Sequence, residues 1–139
     1  MRPYQVVLDS NILVAGLRSR LGASFKLLGL IGGKRFRINV STALLFEYEA
    51  AIKEKVTLDR GAIDDFLDYL CHCGHSQAIS YLWRPYLKDV KDDFVLELAV
   101  AAGCDFIVTF NKKDFVGSEK FGVKVVSPQE FLKIIGEIK

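Results

Sequence analysis

Apolar positions along this chain fall into blocks of two lengths. Short runs of strand length occupy residues 4–9, 36–40, 106–109 and 123–126. They are rich in Val, Ile and Phe, the residue types that suit a pleated, buried surface. Between them lie longer stretches with apolar residues at helical spacing. Residues 11–19 and 23–31 make two, broken around Ser19 to Gly22 and closed by Gly32-Gly33. Ser41 or Thr42 can cap a third, which runs to about Lys55 with Leu45, Ala51 and Ile52 among its apolar positions. Asp59 can cap a fourth over 62–72, with Ile63, Phe66, Leu67 and Leu70 on one face. Gly74 suits the C′ position behind it. Asp89 or Asp92 opens a fifth, ending near Gly103. Ser127, Pro128 and Glu130 spell a capping box with Pro at the first helical position of a sixth. Residues 76–91 fit neither template: 80–87 mixes strand-like and irregular features, and Pro85 opposes a regular helix.

Strands alternating with helices predict an α/β protein, a three-layer α/β/α sandwich around a mainly parallel sheet. With 139 residues, half of them hydrophobic, the chain is expected to form a single domain, 1–139, with its own core. No stretch approaches the roughly 20 apolar residues that cross a bilayer. Met1-Arg2-Pro3-Tyr4 leads straight into a strand, so a cytoplasmic protein with no membrane partner is expected. Three cysteines, an odd number, argue against a disulfide framework. Cys71-His72-Cys73-Gly74-His75 looks like a metal cluster, but it lacks the distant second ligand pair of a zinc site. It reads as a helix end with ordinary thiols.

The chemistry lies in acids placed at element junctions. Asp9 ends the run Val6-Val7-Leu8 and precedes Ser10-Asn11, so a buried strand delivers a carboxylate to its C-terminal end. In open α/β sheets ligands collect there. Glu47 lies about one and a half turns into the third helix. Asp92 and Asp93 open the helix before strand 106–109; Thr109 ends that strand, and Asn111 and Asp114 follow. Carboxylates that converge repel one another unless a cation neutralises them. Hard oxygen donors of this kind suit Mg²⁺ or Mn²⁺. Each acid also has a plain reading: Asp9 as a turn or cap, Glu47 as a solvated helix residue, Asp92 and Asp93 as first-turn charges, Asp114 as an Asx turn. Asp92 shares a helical row with Val95 and Ala99 and is expected to face the sheet. Net charge is only +2, yet if four of the 17 acids surround metal, the 19 Lys and Arg dominate the remaining surface, which can then attract a polyanion.

Taken together, the segments resemble a PIN domain. They are Val7-Leu8-Asp9-Ser10-Asn11-Ile12-Leu13-Val14, Ser41-Thr42-Ala43-Leu44-Leu45-Phe46-Glu47-Tyr48, and Asp92-Asp93-Phe94-Val95-Leu96-Glu97-Leu98-Ala99. Asp105-Phe106-Ile107-Val108-Thr109 and Asn111-Lys112-Lys113-Asp114-Phe115 complete the set. The chain is most similar to small toxins of toxin–antitoxin pairs, of the VapC type. The resemblance implies a Mg²⁺- or Mn²⁺-dependent endoribonuclease. Asp9, Glu47 and Asp92 would be the core metal ligands, with Asp93 competing for the third place. Ser10, Asn11, Thr109 and Asn111 would orient ligands or substrate. Asn111 stands where many relatives carry Asp, so either Asp114 supplies the fourth carboxylate or a second metal is weakly held without RNA. RNA is the expected substrate and an antitoxin the expected protein partner.

Other classes fit less well. A haloacid-dehalogenase phosphatase needs a second Asp two residues after the first, and Asn11 stands there. A receiver domain needs an Asp on its middle strand, and 36–40 has none. A PIN fold that binds RNA or protein without cutting is the alternative that Asn111 keeps open. The helices at 23–31 and 62–70 carry more apolar positions than one face needs. Some of Phe25, Leu28, Phe66 and Leu70 are therefore expected on the surface, as a patch for a homodimer or an antitoxin helix.

Overall fold

Strand β1 is Tyr4–Leu8, and its last three side chains, Val6, Val7 and Leu8, are all buried. Successive strand residues point to opposite faces, so burial of all three means that both faces of the sheet are covered. The same holds for β4, Phe106–Val108. The other strands are β2, Phe36–Val40; β3, His75–Ser76; and β5, Lys124–Val126. All pair in parallel, in the order β3-β2-β1-β4-β5. The computed structural model describes residues 2–76 and 90–139, and for 90–93 the backbone alone.

Among the described residues six helices complete the α/β fold: α1 Ser10–Arg18, α2 Ala23–Gly29, α3 Thr42–Lys55, α4 Arg60–Cys73, α5 Val90–Ala101 and α6 Pro128–Ile134. Ser41 is the cap of α3, its hydroxyl accepting from the Leu44 amide at 3.2 Å. Asp59 caps α4 through the Ala62 amide at 2.7 Å. Ser127 and Glu130 form the expected capping box on α6, with Pro128 in the first turn. Loss of a Ser cap costs about 1 kcal/mol, and the expected result for Ser127→Ala is a fall of that size in urea-denaturation stability with an unchanged m-value.

Several boundaries differ from the pattern-based expectation. Gly74 is the cap residue of α4 in an extended conformation, φ −90°, not a left-handed C′ residue. A side chain is excluded for another reason: a Cβ would stand 2.7 Å from the Leu70 carbonyl oxygen and 3.1 Å from Ile38 Cγ1. Helix α5 is described from Val90 onward, with Asp92 inside it. The irregular stretch expected at 80–87, and Asp89, lie outside the described residues. Two short 3-10 turns, Lys112–Phe115 and Ser118–Phe121, occupy what reads in sequence as loop.

The core joins the strands to all of these helices, α2 through Leu27 and α4 through Ile63 and Leu70. At one end Phe131 stands edge-to-face with Phe36 at 5.3 Å and Phe106 at 5.6 Å between centroids, and Tyr4 closes the cluster. The surplus apolar residues divide. Leu27, Ile63 and Leu70 are buried, Leu28 and Phe66 are half-buried, and Phe25 is exposed. Among the described residues no helix is long and apolar enough to cross a membrane.

Candidate metal centre

The order of the sheet creates the site. Neighbours β1 and β4 are far apart in sequence, and the chain leaves β1 toward β2 but enters β4 from β3. This is a topological switch point, where a crevice opens outside the carboxyl ends of the strands. Asp9 follows β1 directly, its amide donating to the Val108 carbonyl at 3.0 Å. Thr109 follows β4, its amide donating to the Val126 carbonyl at 2.9 Å. The parallel register thus sets Asp9 beside Thr109.

The Asp9 carboxylate is only 8% exposed. Oδ1 accepts from the Ser10 amide at 2.8 Å, which makes Asp9 the N-cap of α1 as well. Oδ2 accepts from the Thr109 hydroxyl at 2.7 Å and from Asn11 Nδ2 at 3.3 Å. Thr109 Oγ1 in turn accepts from the Asn111 amide at 3.0 Å. Asn11 Oδ1 receives the Phe110 amide at 3.5 Å. Three of the residues expected to orient ligands, Ser10, Asn11 and Thr109, therefore meet on one carboxylate. Asn111 joins through its backbone, and its side chain is exposed.

Helix α3 is tied to the same edge by Tyr48, whose buried hydroxyl donates to the Leu8 carbonyl. Burial, and then the negative charge of Asp9, push its phenol well above the usual tyrosine range, so it stays a donor. Glu47, one residue before it, is half-buried. In sequence Tyr48 passes for a solvated helix residue. Its role becomes visible only once Leu44, Tyr48, Ala51 and Ile52 are seen to form the buried face of α3. Tyr48→Phe leaves the Leu8 carbonyl without this donor, and the expected loss is about 1–3 kcal/mol in chemical denaturation.

Helix α5 ends just before β4 begins and packs on β1, β2 and β4. It therefore runs back along the strands, and its first turn, carrying Asp92 and Asp93, lies toward their carboxyl ends. The side chains of those two acids lie outside the described residues. The helical-row argument for Asp92 does not separate it from Asp93. Val95 and Ala99 on the row of Asp92 are buried, but so are Leu96 and Glu97 on the row of Asp93. Glu97, 6% exposed, is a carboxylate that the pattern did not single out. The available signal was a lone acid inside the run from Phe94 to Val100.

Asp114 sits exposed on the first 3-10 turn, its amide donating to the Asn111 carbonyl at 3.0 Å. Among the described residues no three His, Cys, Asp or Glu side chains converge. Cys71 is exposed and Cys104 buried; burial, then the charge of Asp105, push the Cys104 thiol up to about 12, far from thiolate chemistry at neutral pH. The donors that do stand at the switch point are hard oxygens. The hydrogen bonds that orient Asp9 are of the kind that support ligating carboxylates. Among the described residues the switch point offers one oriented carboxylate, a hard oxygen donor of the type that Mg²⁺ and Mn²⁺ accept.

A parallel α/β sheet with an oriented carboxylate at its switch point defines the class, and comparison gives the family. The model of the PIN domain matches residues 5–113, from β1 to the first 3-10 turn, and the chain belongs to the PIN-domain family. No curated protein matches its sequence. Its fold resembles a chain of VapBC2 from Rickettsia felis, solved bound to a DNA fragment from their promoter. The TM-score is 0.59 at 16% identity, over 88% of this chain and 98% of that one. At that identity the likeness is one of fold.

Proposed function

We propose that residues 1–139 form a single nuclease domain, a Mg²⁺- or Mn²⁺-dependent endoribonuclease that acts as the toxin of a toxin–antitoxin pair. The observation that carries the reading is the Asp9 carboxylate, buried at the β1/β4 switch point and fixed by Ser10, Asn11 and Thr109. Asp9, Glu47 and Asp92 are the proposed metal ligands, Asp93 is the competitor for the third place, and Asp114 is the candidate fourth acid. When bound, the metal supplies an activated water and neutralises charge on the phosphoryl group. The chain's own part is to hold that site rigid. Thr109 and Asn11 keep Asp9 Oδ2 in one orientation, and Tyr48 anchors α3, and with it Glu47, to the end of β1.

Membership of the PIN family and the VapBC-like fold support this reading and an antitoxin partner. Phe25, exposed on α2, belongs to the surface proposed for a homodimer or for an antitoxin helix. A cytoplasmic location is part of the same proposal. The test is cleavage of a single-stranded RNA in Mg²⁺, in EDTA, and after Mg²⁺ is restored. Cleavage should stop with EDTA and return with metal. It should leave no 2′,3′-cyclic phosphate, because water rather than the ribose hydroxyl attacks. Cleavage that persists in EDTA contradicts the mechanism. Binding without cleavage in any metal favours the alternative, a PIN fold that holds RNA or protein without cutting.

A further inference from the structure

Immediately after Thr109 the chain exposes a large aromatic ring. Phe110 is 52% exposed, and among the described residues no other ring packs on it. A single exposed apolar residue needs no explanation; its position and support here do. Its backbone amide bonds Asn11 Oδ1 at 3.5 Å, and Asn11 Nδ2 bonds Asp9 Oδ2 at 3.3 Å, so the ring is two hydrogen bonds from the central carboxylate. The turn that carries it is held on both sides. The Asn111 amide is bound by Thr109 Oγ1 at 3.0 Å, and Lys112 Nζ reaches Glu130 Oε1 on α6 at 2.8 Å. That lysine, with the Ser127 amide, holds the Glu130 carboxyl below its usual range. Lys113, next along, is exposed and pairs with no acid among the described residues.

An exposed ring on a held turn, an exposed lysine and a nearby carboxylate match the chemistry of one ligand class. We infer that Phe110 is a stacking platform for an unpaired base of single-stranded RNA next to the cleaved phosphate, with Lys113 on the flanking phosphate. The inference rests on the nuclease reading above and adds a base-binding residue to it. In an A-form duplex each base face is already covered by its neighbours, so the ring has nothing to stack on; in a loop or single strand the faces are open. Because the turn is held before RNA arrives, little ordering is lost on binding.

The experiment measures fluorescence anisotropy of a short labelled single-stranded RNA and of its duplex, with Ca²⁺ replacing Mg²⁺ to suppress cleavage. Wild type is compared with Phe110→Ala, Phe110→Leu and Phe110→Trp, and with Leu21→Ala as an exposed-apolar control between α1 and α2. Circular dichroism confirms that each variant is folded. Phe110→Ala should weaken single-strand binding about ten-fold. Phe110→Leu should bind no better than the alanine variant, because an aliphatic group does not stack, and Phe110→Trp should restore binding. Duplex binding by the Phe110 variants, and single-strand binding by Leu21→Ala, should stay at their wild-type levels. Leucine binding as tightly as phenylalanine, an equal loss on duplex RNA, or a wild type that binds no single-stranded RNA each overturns the inference. The two readings fail separately. Aromatic-dependent binding with no cleavage in Mg²⁺ removes the nuclease and keeps the platform. Cleavage with binding indifferent to Phe110 removes the platform and keeps the nuclease.

Discussion

Asp9→Asn is expected to eliminate metal-dependent RNA cleavage while leaving a folded protein. The substitution keeps the size of the side chain and an oxygen for the Ser10 amide, so the cap of α1 survives. It removes the charge that a divalent cation needs. Loss of a group that merely supports a metal ligand costs about 10- to 100-fold, and loss of the central ligand should exceed that. With Glu47 and Asp92 or Asp93 as the proposed co-ligands, thermal unfolding in EDTA should show the variant as stable as wild type or more so, since removing one of several like charges relieves repulsion. Cleavage kinetics under saturating Mg²⁺ check the first half, and calorimetry the second. Undiminished cleavage would exclude Asp9 as a ligand.

The largest expected loss of stability is at the opposite end of the molecule. Phe131 is fully buried and is the hub of the Tyr4–Phe36–Phe106 cluster that joins α6 to β1, β2 and β4. Phe131→Ala removes the buried ring and three edge-to-face contacts and leaves a cavity. Burial loss and cavity together cost about 3–5 kcal/mol. For a domain of this size the midpoint of thermal unfolding should fall by roughly 10 °C or more. A shift of only a degree or two would mean that the cluster collapses around the gap. Because Phe131 lies by the start of β2 and not at the switch point, cleavage at low temperature should be largely retained.

Legibility followed local physics. The runs at 4–9, 36–40 and 106–109 are short and apolar enough that only a buried strand accommodates them, and they fall within a residue of the observed strands. Ser41, Asp59 and Ser127 were readable as caps because capping depends on one side chain and the next three amides. Asp9 was readable because it stands alone at the end of an apolar run. What depends on contacts distant in sequence was not readable. Burial of Tyr48 depends on the Leu8 carbonyl, 40 residues away, and the bond between Thr109 and Asp9 spans 100 residues. The requirement for glycine at position 74 comes first from the Leu70 carbonyl of α4 and then from Ile38 on β2, where sequence presents only a helix-end signal. Phe25, Leu28, Phe66 and Leu70, of which some were expected at the surface, separated because burial on α2 and α4 depends on which neighbours cover each turn.

The central claim is that carboxylates from β1, α3 and α5 hold a divalent cation at the carboxyl edge of the sheet. Crystals soaked in Mn²⁺ and measured at the manganese absorption edge test it directly. The account predicts an anomalous peak about 2.1 Å from Asp9 oxygen, the distance of a small octahedral cation, with Glu47 and Asp92 or Asp93 in the same coordination sphere. A peak bound only elsewhere on the protein, or no peak under conditions that support cleavage, would contradict it.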